Sequence, residues 1–276
     1  MGCHALTVLT GVTVQDSAGI EDSEEISPEW IDDQARSLLE DMPVRAFKIG
    51  GMFSPEAVST IAEILADYSA IPVVLHLGSD PPETQDAETE DSAEDVISAT
   101  LELLVPQATL VVVDALRLRQ LVADDMLELE GSDDTGVHAL LRMGAGWVLT
   151  TGLHLSGDTV VNTLTGGGEL AANVPVDYRW TRLPGNFRGA GNTLSAALSA
   201  LLAGGMEVPD AAAEAQEYTW RALSAGFQPG MGRLLPDRFF WARQPDREGS
   251  GSAGSINSGT TPSGAAPDPN SGGYSS

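Results

Sequence analysis

VRAFKIGGMFSPEAVSTIAEILADYSAIPVVLHL, residues 44–77, decides the fold. Val44 to Ile49 reads as a short buried strand closed by Gly50-Gly51. Ser54-Pro55-Glu56 then places a capping residue, a proline and an acid in the order that opens a helix, here to about Tyr68. Ile71 to Leu77 is an apolar strand. Strand, helix and strand in succession, with strands apolar on both sides, describe a parallel pair covered on both faces.

The same alternation extends in both directions. Leu6 to Val14 reads as a strand, and Ser27-Pro28-Glu29 opens a helix to about Glu40. Helices are expected at Ala93–Leu104, Thr135–Met143, Thr193–Ala203 and Asp210–Ala225. Strands are expected at Thr109–Val113 and Trp147–Thr151, with a hairpin from Val160–Leu164 to Leu170–Val176 around Gly166-Gly167-Gly168. The fold class is α/β, a three-layer αβα arrangement around a mostly parallel central sheet. No internal repeat is visible. Ligands of such sheets bind beyond the carboxyl ends of the strands, after Val14, Ile49, Leu77, Val113 and Thr151.

Composition narrows the function. The 276 residues carry a net charge of -26, with 40 acidic against 14 basic residues, and Lys48 is the only lysine. That field repels nucleic acid and anionic membranes, so neither is an expected partner. It reads either as a solvated acidic surface or as a fit to a salty cytoplasm, where screening tolerates self-repulsion. Cys3 is the single cysteine, so no internal disulfide can form; it reads as an inert small hydrophobe in a reducing, cytoplasmic protein. No apolar run approaches the roughly 18 residues of a membrane span, and no signal peptide is apparent. The main domain is expected at 1–243. Residues 244–276, rich in Gly, Ser and Pro, read as a disordered tail, and 79–91 as a mobile acidic loop.

The chemistry concentrates in PGNFRGAGNTLSAALSALLAGG, which begins at Pro184. Gly189-Ala190-Gly191 runs straight into a helix of small residues. Glycines let backbone N–H groups face a ligand, and the helix start adds partial positive charge, which suits a phosphate. No GK[ST] follows, so this is not a Walker loop. A tight loop-to-helix turn is the plainer alternative. His138, inside a predicted helix, and Trp147, Trp180 and Trp220 read as surface or packing residues. The four His and one Cys show no zinc spacing.

LPGNFRGAGNTLSAALSALLAGG resembles the closing motif of the hydroxymethylpyrimidine/phosphomethylpyrimidine kinases, a ribokinase-like family. GCHALTVLTGVTVQDS, DMPVRAFKIGGMFSPEAV and EAQEYTWRALSAGFQPGMGRLLPDRFF are similar to three further family segments, in family order, over about residues 1–243. The resemblance implies phosphoryl transfer from ATP, with Mg²⁺, to the hydroxymethyl group of a small aminopyrimidine and then to its monophosphate. It implies an anion hole at Gly189, Ala190, Gly191 and Asn192, and a pyrimidine-reading amide at Gln15. Gly51 would stand in the substrate wall, and Lys48, Asp114 and His154 near the nucleotide, with Asp114 also a Mg²⁺ ligand. The plainer alternatives are an exposed polar residue for Gln15 and a strand-end charge for Lys48. A homodimer is the family's tendency.

The chain also departs from the family pattern. It begins after the family's first strand and its glycine-rich segment. Asn192 stands where the family has a cysteine, and an amide takes up no proton near neutral pH. His76-Leu77-Gly78 replaces D-P-V, Asp114 replaces an asparagine, Arg117 a glutamate and Gly51 a methionine. A working pyrimidine kinase, a catalytically impaired relative that binds ligand or regulates, and a kinase for pyridoxal or another alcohol are the alternatives at this point.

Overall fold

The computed structural model describes residues 1–78, 87–131, 135–154, 157–168 and 175–242. The expected tail at 244–276 and residues 79–86 of the expected acidic loop lie outside the described residues. Six strands form the main sheet in the order β3-β4-β5-β6-β7-β8. They are β3 (Phe47–Ile49), β4 (Val73–Leu77), β5 (Leu110–Asp114), β6 (Trp147–His154), β7 (Thr159–Gly166) and β8 (Val176–Thr181). β3 to β6 are mutually parallel, β7 runs antiparallel to β6, and β8 runs antiparallel to β7.

Alternation along the parallel strands builds two cores. Val73, Leu75, Val111, Val113 and Val148 face one side, against α1 (Pro28–Asp41) and α2 (Pro55–Asp67). Val74, Leu110, Val112 and Leu149 face the other, against α6 (Ala190–Ala203) and α7 (Val208–Ser224). Successive side chains of a strand point to opposite faces, so an uninterrupted apolar strand supplies both layers. The three-layer αβα architecture follows.

The two helix starts read from sequence are the observed ones, with proline at the first helical position of both α1 and α2. Ser54 caps α2 by accepting the Ala57 N–H, 3.4 Å. Ser27 instead turns its hydroxyl to Glu29; the residue's own backbone N–H and that hydroxyl hold the Glu29 carboxyl below its usual pKa.

Several expectations are corrected. Leu6–Val14 is not a strand of the main sheet. Its second half is β1 (Gly11–Gln15), which pairs antiparallel with β2 (Ile20–Glu25) as a separate two-stranded flap. β2, sequence IEDSEE, is too acidic to be buried on either face, and Val12 and Val14 remain 55% and 58% exposed. α3 (Ala87–Ala99) begins inside the stretch expected to be loop, and continues through a π turn at Thr100–Leu104. α4 (Ala115–Ala123) was not anticipated, and α5 (Val137–Arg142) is shorter than expected. The second hairpin arm is Val176–Thr181, pairing Leu164 with Val176 and Thr159 with Thr181; residues 169–174 of the expected arm lie outside the described residues. Cys3 is exposed, its thiol 3.4 Å from the Ala200 carbonyl, rather than packed as a small hydrophobe.

Candidate active site

The carboxyl ends of β3, β4 and β5 carry Lys48, His76 and Asp114, and the start of α6 meets the same end of the sheet. Gly189 precedes α6 with φ of 82°, a left-handed conformation that glycine adopts without steric cost. The first N–H groups of a helix have no partner within it. Here they belong to Ala190, Gly191 and Asn192, on the turn predicted to bind an anion. Thr193 steadies the turn, its hydroxyl donating to the Gly189 carbonyl at 2.8 Å. Arg238 reaches the same place from the far end of the domain: its Nε donates to Thr193 Oγ1 at 3.0 Å.

Lys48 and Asn192, 144 positions apart, are joined by a 3.2 Å hydrogen bond from Nζ to Oδ1. The lysine keeps solvent contact, yet the surrounding protein strips water from its ammonium and lowers its pKa below the usual value. His76 closes on the turn from β4. A Cβ at Gly191 would overlap its Nε2 and Cε1, so the ring lies directly against the Gly191 backbone.

The flap enters from above. Gln15 Oε1 accepts a hydrogen bond from Arg188 at 3.2 Å, which ties the predicted pyrimidine reader to the loop before α6. The Gly51 carbonyl accepts from Thr10 Oγ1 at 3.0 Å, so this residue stands at the foot of the flap. Asp16 holds the flap's tip by accepting the Ala18 and Gly19 N–H groups, and the Gly19 bond leads in keeping its carboxyl below the ordinary carboxylate range. Ser17 is clasped by the 230–234 loop, its carbonyl accepting from Arg233 N at 2.8 Å.

Asp114 caps α4, its Oδ1 accepting from Leu116 N at 2.9 Å and Arg117 N at 2.8 Å. Arg117 is partly buried with its Nε unsatisfied; desolvation lowers its pKa, while Asp124 and Asp114 pull it the other way. His154 ends β6, in register with Val160; its side chain lies outside the described residues. Among the described residues no group of three or more metal-ligating side chains occurs. The structure thus gathers Lys48, Asn192 and the 189–191 turn, and brings Gln15 to Arg188. Among the described residues no hydrogen bond joins these to Asp114, which caps α4 instead.

Beside Ala190 and Gly191 opens a cavity of about 250 Å³. Trp180 and Trp220 line it, stacked with centroids 6.3 Å apart and an interplanar angle of 26°. Gln216 fixes the wall, its Oε1 accepting from Asn162 at 2.8 Å and Trp180 Nε1 at 3.2 Å. These two tryptophans are therefore cavity walls, whereas Trp147 is the packing residue that all three resembled in sequence. Arg188, Arg238 and the tryptophans carried no local signal. Each acts on residues far away in the chain. Position 76 was marked only as an exchange of residue type.

Among the described residues no helix is long and apolar enough to cross a membrane. The family model for phosphomethylpyrimidine kinase matches residues 1–236. A hydroxymethylpyrimidine/phosphomethylpyrimidine kinase of Streptomyces coelicolor is 34% identical over 88% of this chain and 86% of its own. One from Mycobacterium leprae is 30% identical over 84% and 82%. The fold is shared with a Bacillus subtilis pyridoxal kinase solved with ADP, at a TM-score of 0.71, 23% identity and coverage of 87% and 88%. A Clostridium difficile phosphomethylpyrimidine kinase superposes at a TM-score of 0.59, with 24% identity over 79% and 86%. Matched along nearly its whole described length by the family model, and at 30% identity or more by these relatives, this chain is a phosphotransferase that belongs to the phosphomethylpyrimidine kinase family.

Proposed function

We propose that the protein transfers the γ-phosphoryl group of ATP to the hydroxymethyl group of 4-amino-5-hydroxymethyl-2-methylpyrimidine, and then to the monophosphate, in thiamine synthesis. The observation that carries this reading is the start of α6. There Gly189, Ala190 and Gly191 present backbone N–H groups, with Lys48 and Arg238 bonded to the same turn. Phosphoryl transfer asks a protein mainly to position the partners and stabilise spreading negative charge. A helix start with two cations does both, and it does so in a chain whose overall charge would otherwise repel ATP.

The Gly189–Asn192 turn holds the transferring group, and Lys48 neutralises it. The Asn192 amide donates a hydrogen bond to the developing oxyanion, with its carbonyl end held by Lys48. Gln15, on the flap, reads the aminopyrimidine edge with one donor and one acceptor, and Gly51 leaves room in the substrate wall. His154 lies toward the nucleotide. The donor set fits Mg²⁺ carried in on the nucleotide, because that ion keeps several waters and takes one or two carboxylates plus phosphate oxygens. Asp114 is the carboxylate for it, through the oxygen its helix cap does not use. When bound, Mg²⁺ neutralises the phosphate oxygens. As a consumer of ATP the enzyme acts in the cytoplasm.

ADP release with hydroxymethylpyrimidine and Mg-ATP tests this reading, with turnover expected. Measurable pyrimidine binding without turnover would leave a non-catalytic relative. Higher kcat/KM for pyridoxal would reassign the acceptor.

Lys48 gives a pH signature. Its pKa is lowered by desolvation, so its charge is lost at a pH below that of an ordinary lysine. kcat/KM, which reports the free enzyme, should therefore fall on the alkaline side before the usual lysine range. Lys48→Arg should move that fall upward, because a guanidinium stays charged. A profile unchanged by the substitution would refute the role.

A further inference from the structure

The acceptor hydroxyl must lose its proton, and the side chain nearest the phosphate turn cannot take it. Asn192 is an amide, and its Oδ1 is occupied by Lys48 Nζ. Lys48 beside an incoming phosphate is held in its charged form. Asp114 spends Oδ1 on the α4 cap. His76 is an imidazole, a group that both takes up and gives back a proton. It is the penultimate residue of β4, the strand between those that carry Lys48 and Asp114. Its Nε2 edge is pressed onto Gly191 so closely that a Cβ there would overlap the ring, while its Cε1 and Nδ1 edge faces Gly78. A ring nitrogen therefore lies against the backbone that grips the transferring group.

Resting on the kinase reading above, we propose that His76 is the proton acceptor of the reaction. As the acceptor oxygen forms its bond to the γ-phosphorus, the bond from that phosphorus to the bridging oxygen breaks. Its electron pair leaves with ADP. The hydroxyl proton passes to Nε2, giving an imidazolium that later returns it to water. Gly191 is part of the device: its missing side chain lets the imidazole reach the turn.

The test is steady-state turnover of the full chain with hydroxymethylpyrimidine and Mg-ATP. His76→Gln should lower kcat by about 10²–10³-fold while KM for both substrates stays within about threefold. Adding Asn192→Cys to that variant should restore at least about tenfold, because a thiol on the first turn of a helix ionises readily. A residue that only shapes the site would not be rescued in this way. If the glutamine variant does not fold, His76→Asn replaces it in the same comparison. A kcat within threefold of wild type, a loss confined to KM, or no rescue by the thiol each overturns the assignment in an active enzyme. A wild-type chain without turnover overturns the kinase reading and, with it, this one.

Discussion

Gly191→Ala should lower kcat/KM by about 10²–10³-fold and leave the fold intact. Gly191 sits in the first turn of α6, outside the left-handed region that reserves a position for glycine. Alanine is the best helix former, and glycine in a helix interior costs about 1 kcal/mol relative to it. The backbone therefore gains nothing from glycine here. What glycine provides is space: a Cβ would overlap His76 Nε2 and Cε1, so the imidazole must leave the phosphate turn. Thermal unfolding at or above the wild-type midpoint, together with lost turnover, is the expected pair of results. A variant with near wild-type kcat/KM would refute the proposed roles of this turn and of His76.

Leu149→Ala should lower stability by about 2–5 kcal/mol, among the largest costs expected of a single core truncation. Leu149 lies on β6, flanked by β5 and β7, and is 0% exposed. It points into the core beneath α6 and α7, with Val112, Leu164 and Leu198. Strands on both sides and two helices above restrict how far the site can collapse into the cavity. In a domain of this size each kcal/mol moves the midpoint by about 2–4 °C. Urea unfolding should give a lower midpoint with an unchanged slope. A loss below 1 kcal/mol would mean that this layer repacks freely.

The parts of the fold legible in sequence were those whose burial is uniform. Ile71–Leu77, Thr109–Val113 and Trp147–Thr151 are largely apolar on both sides because helices cover both faces of their sheet, and β4, β5 and β6 lie in these runs. The flap was misread for the opposite reason. β1 pairs with an acidic strand, is open to solvent, and offers neither a continuous nor a cleanly alternating pattern. α4 escaped because its cap, Asp114, is also the last residue of β5, so one residue closes a strand and opens a helix.

By itself the sequence determined the four parallel strands, the two proline-led helix starts and the glycine turn at 189–191. Each of these is a property of neighbours in the chain: burial period, capping chemistry, backbone freedom. Only the tertiary structure decided what surrounds that turn. Lys48 reaches Asn192 across 144 positions and Arg188 reaches Gln15 across 173. His76 meets Gly191 because β4 and α6 pack on one another. Parallel strands all deliver their last residues to one end of the sheet. Which of those residues touch depends on strand order and helix packing, and no local pattern records either.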